Sequence, residues 1–167
     1  MKNSPKILGY VAALAFLSIG SWSMAKEESI NLDKTPAPVQ ASIKTLLGDK
    51  KFDSLEKEDQ KGEPVYEVEY KVNGTGYSAL ITEAGEVIQH EVDIDPSAVP
   101  ANILDAATKP HAGGVIQEAS FVNADGKIYY EFEVKAGDQT FDVRVSAKGK
   151  VNHDAAKTEG GDKDDKK

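Results

Sequence analysis

Four glutamates are the residues best placed to do chemistry in this chain. Glu67 and Glu69 stand two apart in Tyr66-Glu67-Val68-Glu69-Tyr70, and Glu131 and Glu133 stand two apart in Tyr130-Glu131-Phe132-Glu133-Val134. In an extended chain, residues two apart point to the same face, so each pair offers adjacent carboxylates. Carboxylates can accept hydrogen bonds, pair with Lys or Arg, or hold cations. Two readings follow. One is a solvated face that keeps a sheet soluble and unpaired. The other is an acidic platform for a basic partner or for cations.

Other chemistry is thinly represented. The chain has no cysteine, hence no thiol nucleophile and no disulfide. Ser54, Ser78, Ser120 and Ser146 lie in no Gly-x-Ser-x-Gly elbow. The three histidines, His90, His111 and His153, form no pair at zinc-ligand spacing. His90 and His153 fall at similar places after the last strand of two repeated units, which leaves a paired metal site or two solvated residues. His111, in Pro110-His111-Ala112-Gly113-Gly114, reads as a loop residue. Asp93-Ile94-Asp95 lacks the central Gly and closing Glu of an EF-hand loop. Asp95-Pro96 reads instead as a helix start. No catalytic residue, metal ligand or cofactor site is assigned.

The glutamates are carried by strands. From Val65 to Ile81, Tyr66, Val68, Tyr70 and Val72 alternate with charged residues, and Asn73-Gly74 supplies a hairpin turn. A second hairpin runs from Tyr130 to Val134, through Ala136-Gly137-Asp138, and on from Phe141 to Val145. Ahead of the first hairpin, Thr35-Pro36 can cap a helix with Val39, Ile43, Leu46 and Leu47 on one stripe, stopped at Gly48. Lys51 to Asp59 is a weaker strand in which Phe52 and Leu55 break alternation, as a bulge would. Val87 to Val92 is a further strand. The order then recurs: a helix stripe of Val99, Ile103, Ala106 and Ala107 stopped by Pro110, a strand from Val115 to Val122, the second hairpin, and a short strand from Val151. Gly62 and Gly126, Tyr66 and Tyr130, Glu67 and Glu131, Glu69 and Glu133, Tyr77 and Phe141, Gly85 and Gly149, and Val87 and Val151 are each 64 residues apart. The period describes one supersecondary unit used twice.

Several words of this pattern carry a family resemblance. They are Pro36-Ala37-Pro38-Val39, Val65-Tyr66-Glu67-Val68-Glu69 and Ala84-Gly85-Glu86-Val87 in the first unit. In the second they are Ile128-Tyr129-Tyr130-Glu131-Phe132-Glu133 and Lys148-Gly149-Lys150-Val151. The chain resembles the PepSY-like domains, including the β-lactamase-inhibitor-like (BLIP-like) group, in two tandem copies from Thr35 to His153. The resemblance implies an exported or envelope module without catalytic residues. Related PepSY domains in peptidase propeptides imply an inhibitory role.

Composition sets the compartment and narrows the partners. In 167 residues the net charge is −8 and the pI about 4.9, which opposes binding to nucleic acid or to an anionic membrane. Lys2 and Lys6, an uncharged run from Ile7 to Ile19, and Ser23-Met24-Ala25 read as a signal peptide cleaved after Ala25. Losing Lys2 and Lys6 takes the net charge from −8 to −10. The expected organisation is a signal peptide over 1–25, a flexible leader over 26–34, repeat 1 over 35–92, repeat 2 over 93–153 and a disordered charged tail over 154–167. The expected fold class is α+β: two tandem α-β-β-β(-β) repeats forming an antiparallel sheet, with helices packed on one face. The expected function is an exported, non-catalytic binding or inhibitor-like module that meets an exported or envelope protein. Nucleic acid and stable membrane insertion after cleavage are not expected. An envelope protein sequestering cations on the acidic face is the alternative, and a hydrolytic enzyme a more distant one.

Overall fold

The computed structural model describes residues 28–60 and 62–157. The expected signal peptide lies outside them, as does the end of the chain after Lys157. Nine strands form one antiparallel sheet in which each strand pairs with the next in sequence. They are β1 (Glu28–Ser29), β2 (Phe52–Gln60), β3 (Glu63–Val72), β4 (Thr75–Thr82), β5 (Val87–Asp93), β6 (Val115–Ala124), β7 (Lys127–Ala136), β8 (Gln139–Ser146) and β9 (Val151–Ala156). Helix α1 (Ala37–Leu47) lies between β1 and β2, and α2 (Ala101–Thr108) between β5 and β6.

This corrects the α+β expectation of helices packed across one face. The fold is largely β, because helices of eleven and eight residues are too short to make a layer over nine strands. Gly48, at φ +61°, ends α1, and α2 is confined between Pro100 and Pro110. Apolar spacing located both helices and the face each buries, but it put Val99 inside α2, which begins at Ala101, and it did not show how little of the sheet they could cover.

Each helix instead seals one patch of apolar side chains. Val39, Ile43 and Leu47 of α1 join Tyr66, Val68 and Ile81. Ile103 and Ala107 of α2, with Val99 ahead of it, join Phe132, Val134, Val143 and Val145. Burying one such side chain contributes roughly 1.5–3 kcal/mol. Gly85, at φ +83°, makes the α1 contact possible. A Cβ there would come within 2.7 Å of the Pro38 carbonyl oxygen, and the Ser42 hydroxyl donates to the Gly85 carbonyl at 2.6 Å.

Two local geometries recur at the sequence interval. The register shifts fall between Phe52 and Ser54, Leu80 and Ile81, Ile116 and Glu118, and Arg144 and Val145. The second pair of shifts lies 64 residues after the first. Bulges bend and twist a sheet, so these four curl it the same way in each half.

Three boundaries differ from expectation. The leader is not loose from Glu28 on, since Glu28 pairs with Lys57 and Ile30 N–H donates to the Leu55 carbonyl at 3.0 Å. Thr35 does not cap α1; its hydroxyl donates to the Leu32 carbonyl at 2.8 Å. The tail does not begin at Asp154, because β9 continues to Ala156 and Lys157 N–H donates to the Thr140 carbonyl at 2.7 Å.

Candidate functional site on the concave face

The strand register puts the four glutamates on one face, opposite the helices. Glu67 lies across from Leu80 and Glu69 from Ser78. Glu131 lies across from Arg144 and Glu133 from Asp142. That face is not a flat, solvated surface. The sheet curls so that residues from β2 through β9 surround a cavity of about 560 Å³. In its lining Gly76 leaves room for the Asp93 carboxylate, whose oxygen would lie 2.1 Å from a Cβ at that position. A volume of this size falls within the roughly 300–1,000 Å³ of ligand pockets.

The four carboxylates have different company. Glu69 accepts from the Ser54 hydroxyl at 2.6 Å. Glu131 accepts from Arg144 Nε at 2.6 Å and also pairs with its Nη2. Burial still raises the Glu131 pKa, with Arg144 opposing. Glu133 pairs with Lys157, which reaches over β8 from the end of β9. Glu67 has no such cation: burial first, then the Glu58 carboxyl beside it, push its pKa up to about 9. The missing cation traces to one residue. Position 80, opposite Glu67, is Leu, while position 144, opposite Glu131, is Arg.

A fifth carboxyl is more isolated still. Glu91 on β5 is 4 % exposed, and neither oxygen has a hydrogen-bond partner. Burial raises its pKa to about 8; Glu131 adds to the rise, and the nearby Ser120 hydroxyl draws it down a little. Ser78, directly across from it on β4, is 9 % exposed and its hydroxyl is likewise unpartnered. Both side chains line the cavity.

No family model and no curated protein matches the chain. Solved structures do share its architecture. A protein of Bacteroides eggerthii provisionally assigned to the periplasm superposes with a TM-score of 0.60 at 18% identity, over 73% of this chain and 88% of its own. A DUF2874 family protein of Bacteroides uniformis gives 0.59 at 16%, over 73% and 89%. A BLIP-like protein of Bacteroides fragilis gives 0.55 at 17%, over 77% and 90%. The fold is BLIP-like. At these identities the likeness concerns the fold alone.

Within the BLIP-like sheet the histidines take separate places. His90 is exposed on β5 and sits across from Ala79, which belongs to the α1 core. His153 is across from Arg144 and lines the cavity. The two are therefore on opposite faces and make no paired site. His111 is more than a loop residue: its Nε2 lies 2.8 Å from Asp154 Oδ1, and its ring stacks on Phe141 at 3.9 Å. It pins β9 to the rest of the sheet. Asp95 Oδ1 accepts from Ser97 N–H at 2.8 Å, capping the 3-10 turn Pro96–Ala98 rather than α2. Among the described residues no group of three or more His, Asp or Glu is arranged to hold a metal ion. Among them also, no helix is long and apolar enough to cross a membrane.

Sequence reasoning missed Glu91, and weighed Ser78 and Ser120 only as nucleophiles. A signal for Glu91 existed in the alternation of Gln89, Glu91 and Asp93 along one strand. Its depth did not show, because depth depends on the curl.

Proposed function

We propose that this chain is an exported, non-catalytic binding module built from two tandem PepSY-like copies, and that its concave acidic face takes up a basic segment of an exported or envelope protein. The observation that carries the reading is the cavity of about 560 Å³ on that face, with Glu91 buried beside it and unpartnered at both oxygens. An unpartnered buried carboxyl costs stability, and a complementary charge from a partner offsets that cost. The bulges recurring at 64 residues support the tandem reading. Fold likeness to a protein provisionally assigned to the periplasm supports export. Export entails cleavage after Ala25, and intact mass of the secreted chain measures it.

The test is capture from envelope extract with the wild-type chain and with Glu118→Lys. Glu118 is exposed on β6 and lines the cavity, so the change reverses charge at the rim without touching the core. A single stoichiometric basic protein, held at low salt, released at high salt and not held by Glu118→Lys, is the expected result. Capture indifferent to both salt and the substitution places the binding surface elsewhere.

A further inference from the structure

The two halves of the sheet differ at the positions where symmetry would supply a cation: Leu80 stands against Arg144, and Asp93 against Lys157. In the second half Arg144 meets Glu131, with its guanidinium 4.4 Å from the Tyr129 ring centre. In the first half Leu80 occupies the matching place, so Glu67 and Glu91 face the cavity with no cation from the strand between them. Lys71 lies near, but its amine is 3.8 Å from Asp53, and both side chains are more than half exposed.

We propose that the cavity is a guanidinium site, in which Glu91 receives an arginine side chain presented by the partner. This deepens the binding reading and rests on it. On losing its proton, Glu91 offers two buried carboxylate oxygens, with the Ser120 hydroxyl nearby as a donor, and a guanidinium fork meets such a pair with two parallel hydrogen bonds. Ser78 Oγ, across the strand pair, supplies a third acceptor. A guanidinium is planar and weakly hydrated, whereas an ammonium is compact and costs more to strip of water beside a buried carboxyl. A calcium ion would require six to eight oxygen ligands. No cluster of three or more acidic or histidine ligands supplies them among the described residues.

The electrostatic surroundings agree. The charged and titratable groups acting on Glu91 are Glu67 from β3, Asp93 on its own strand, Tyr129 and Glu131 from β7, and Arg144 from β8. Acids outnumber cations around it. With the cavity empty, Glu91 keeps its proton at neutral pH. An incoming guanidinium stabilises the carboxylate and the proton leaves to solvent, so binding strengthens as pH rises toward 8.

The experiment is calorimetric titration of the chain with capped arginine and capped lysine at pH 7, in two buffers of different ionisation enthalpy. One side chain reaches only about millimolar affinity, so the titrants are taken to about 20 mM. Arginine should bind with release of about one proton, lysine more weakly, and Glu91→Gln should weaken arginine at least about tenfold. Ser78→Ala, which removes one acceptor and leaves the acids intact, should weaken it by a smaller factor. It serves as the test if Glu91→Gln does not fold. Lysine binding as well as arginine, or arginine binding untouched by either substitution, overturns the proposal. Absence of arginine binding while the chain still captures its basic partner overturns the guanidinium site alone and leaves the binding module standing.

Discussion

Glu67 and Glu91 bear on stability as well as on binding. Each holds its proton in the fold up to about pH 9 and about pH 8, whereas an ordinary glutamate releases it near 4.5. Between those limits the folded chain carries protons that the unfolded chain has lost, so raising the pH favours unfolding. Each retained proton costs up to about 1.4 kcal/mol per pH unit. Glu67→Gln removes one of these dependences. Its stability relative to wild type should therefore rise between about pH 5.5 and pH 8, read by urea unfolding at both; a difference that stays level across that range contradicts the buried, protonated Glu67. Arg144 gives the complementary prediction. Arg144→Leu recreates at Glu131 what Leu80 leaves at Glu67, and should destabilise the chain by about 3–5 kcal/mol at pH 8. The loss should shrink at about pH 5, where Glu131 can protonate; an equal loss at both would mean that Arg144 matters for packing over Tyr129, not for charge.

At the scale of elements, β9 is the strand whose importance the sequence hid. Asp154, Ala155 and Ala156 have low strand propensity and no large apolar side chain. Their order comes from pairing with Phe141, Asp142 and Val143, and from His111, which lies 43 residues from Asp154 in sequence. Such distant partners leave no local pattern. Deleting the chain from Asp154 onward removes the His111–Asp154 hydrogen bond and the Lys157–Glu133 ion pair together with edge pairing, and should lower stability by at least about 2 kcal/mol, whereas cutting after Lys157 keeps all of these contacts. Thermal melts of the two truncations separate the cases. The hairpin β3–β4 was legible for the opposite reason: period-2 alternation and Asn73-Gly74, at φ +53° and +87°, are local signals sufficient in themselves. The glutamate face was legible too, because alternation dictates facing. The depth of Glu67 was not, nor was that of Glu91, since both follow from four bulges acting together. Phe132, 2 % exposed beneath α2, should cost about 3–5 kcal/mol when replaced by Ala, and half-buried Tyr130 less.

For the whole molecule, the two apolar clusters share one sheet joined through the β5–β6 pair, from Gln89 opposite Ala124 to Asp93 opposite Ser120. Neither half alone is large enough for a comfortable margin of buried surface. The halves should therefore unfold in one calorimetric transition; two resolved peaks would make them independent domains. The strand order has a mechanical corollary. Because strands follow one another without crossover, the two termini of the described chain sit on opposite edges, at β1 and at β9. Tension applied between them acts across the strands. It loads the hydrogen bonds of an edge pair one at a time and never shears a whole ladder at once. A molecule stretched by its ends should give way by peeling, first at the two-residue β1 and at β9.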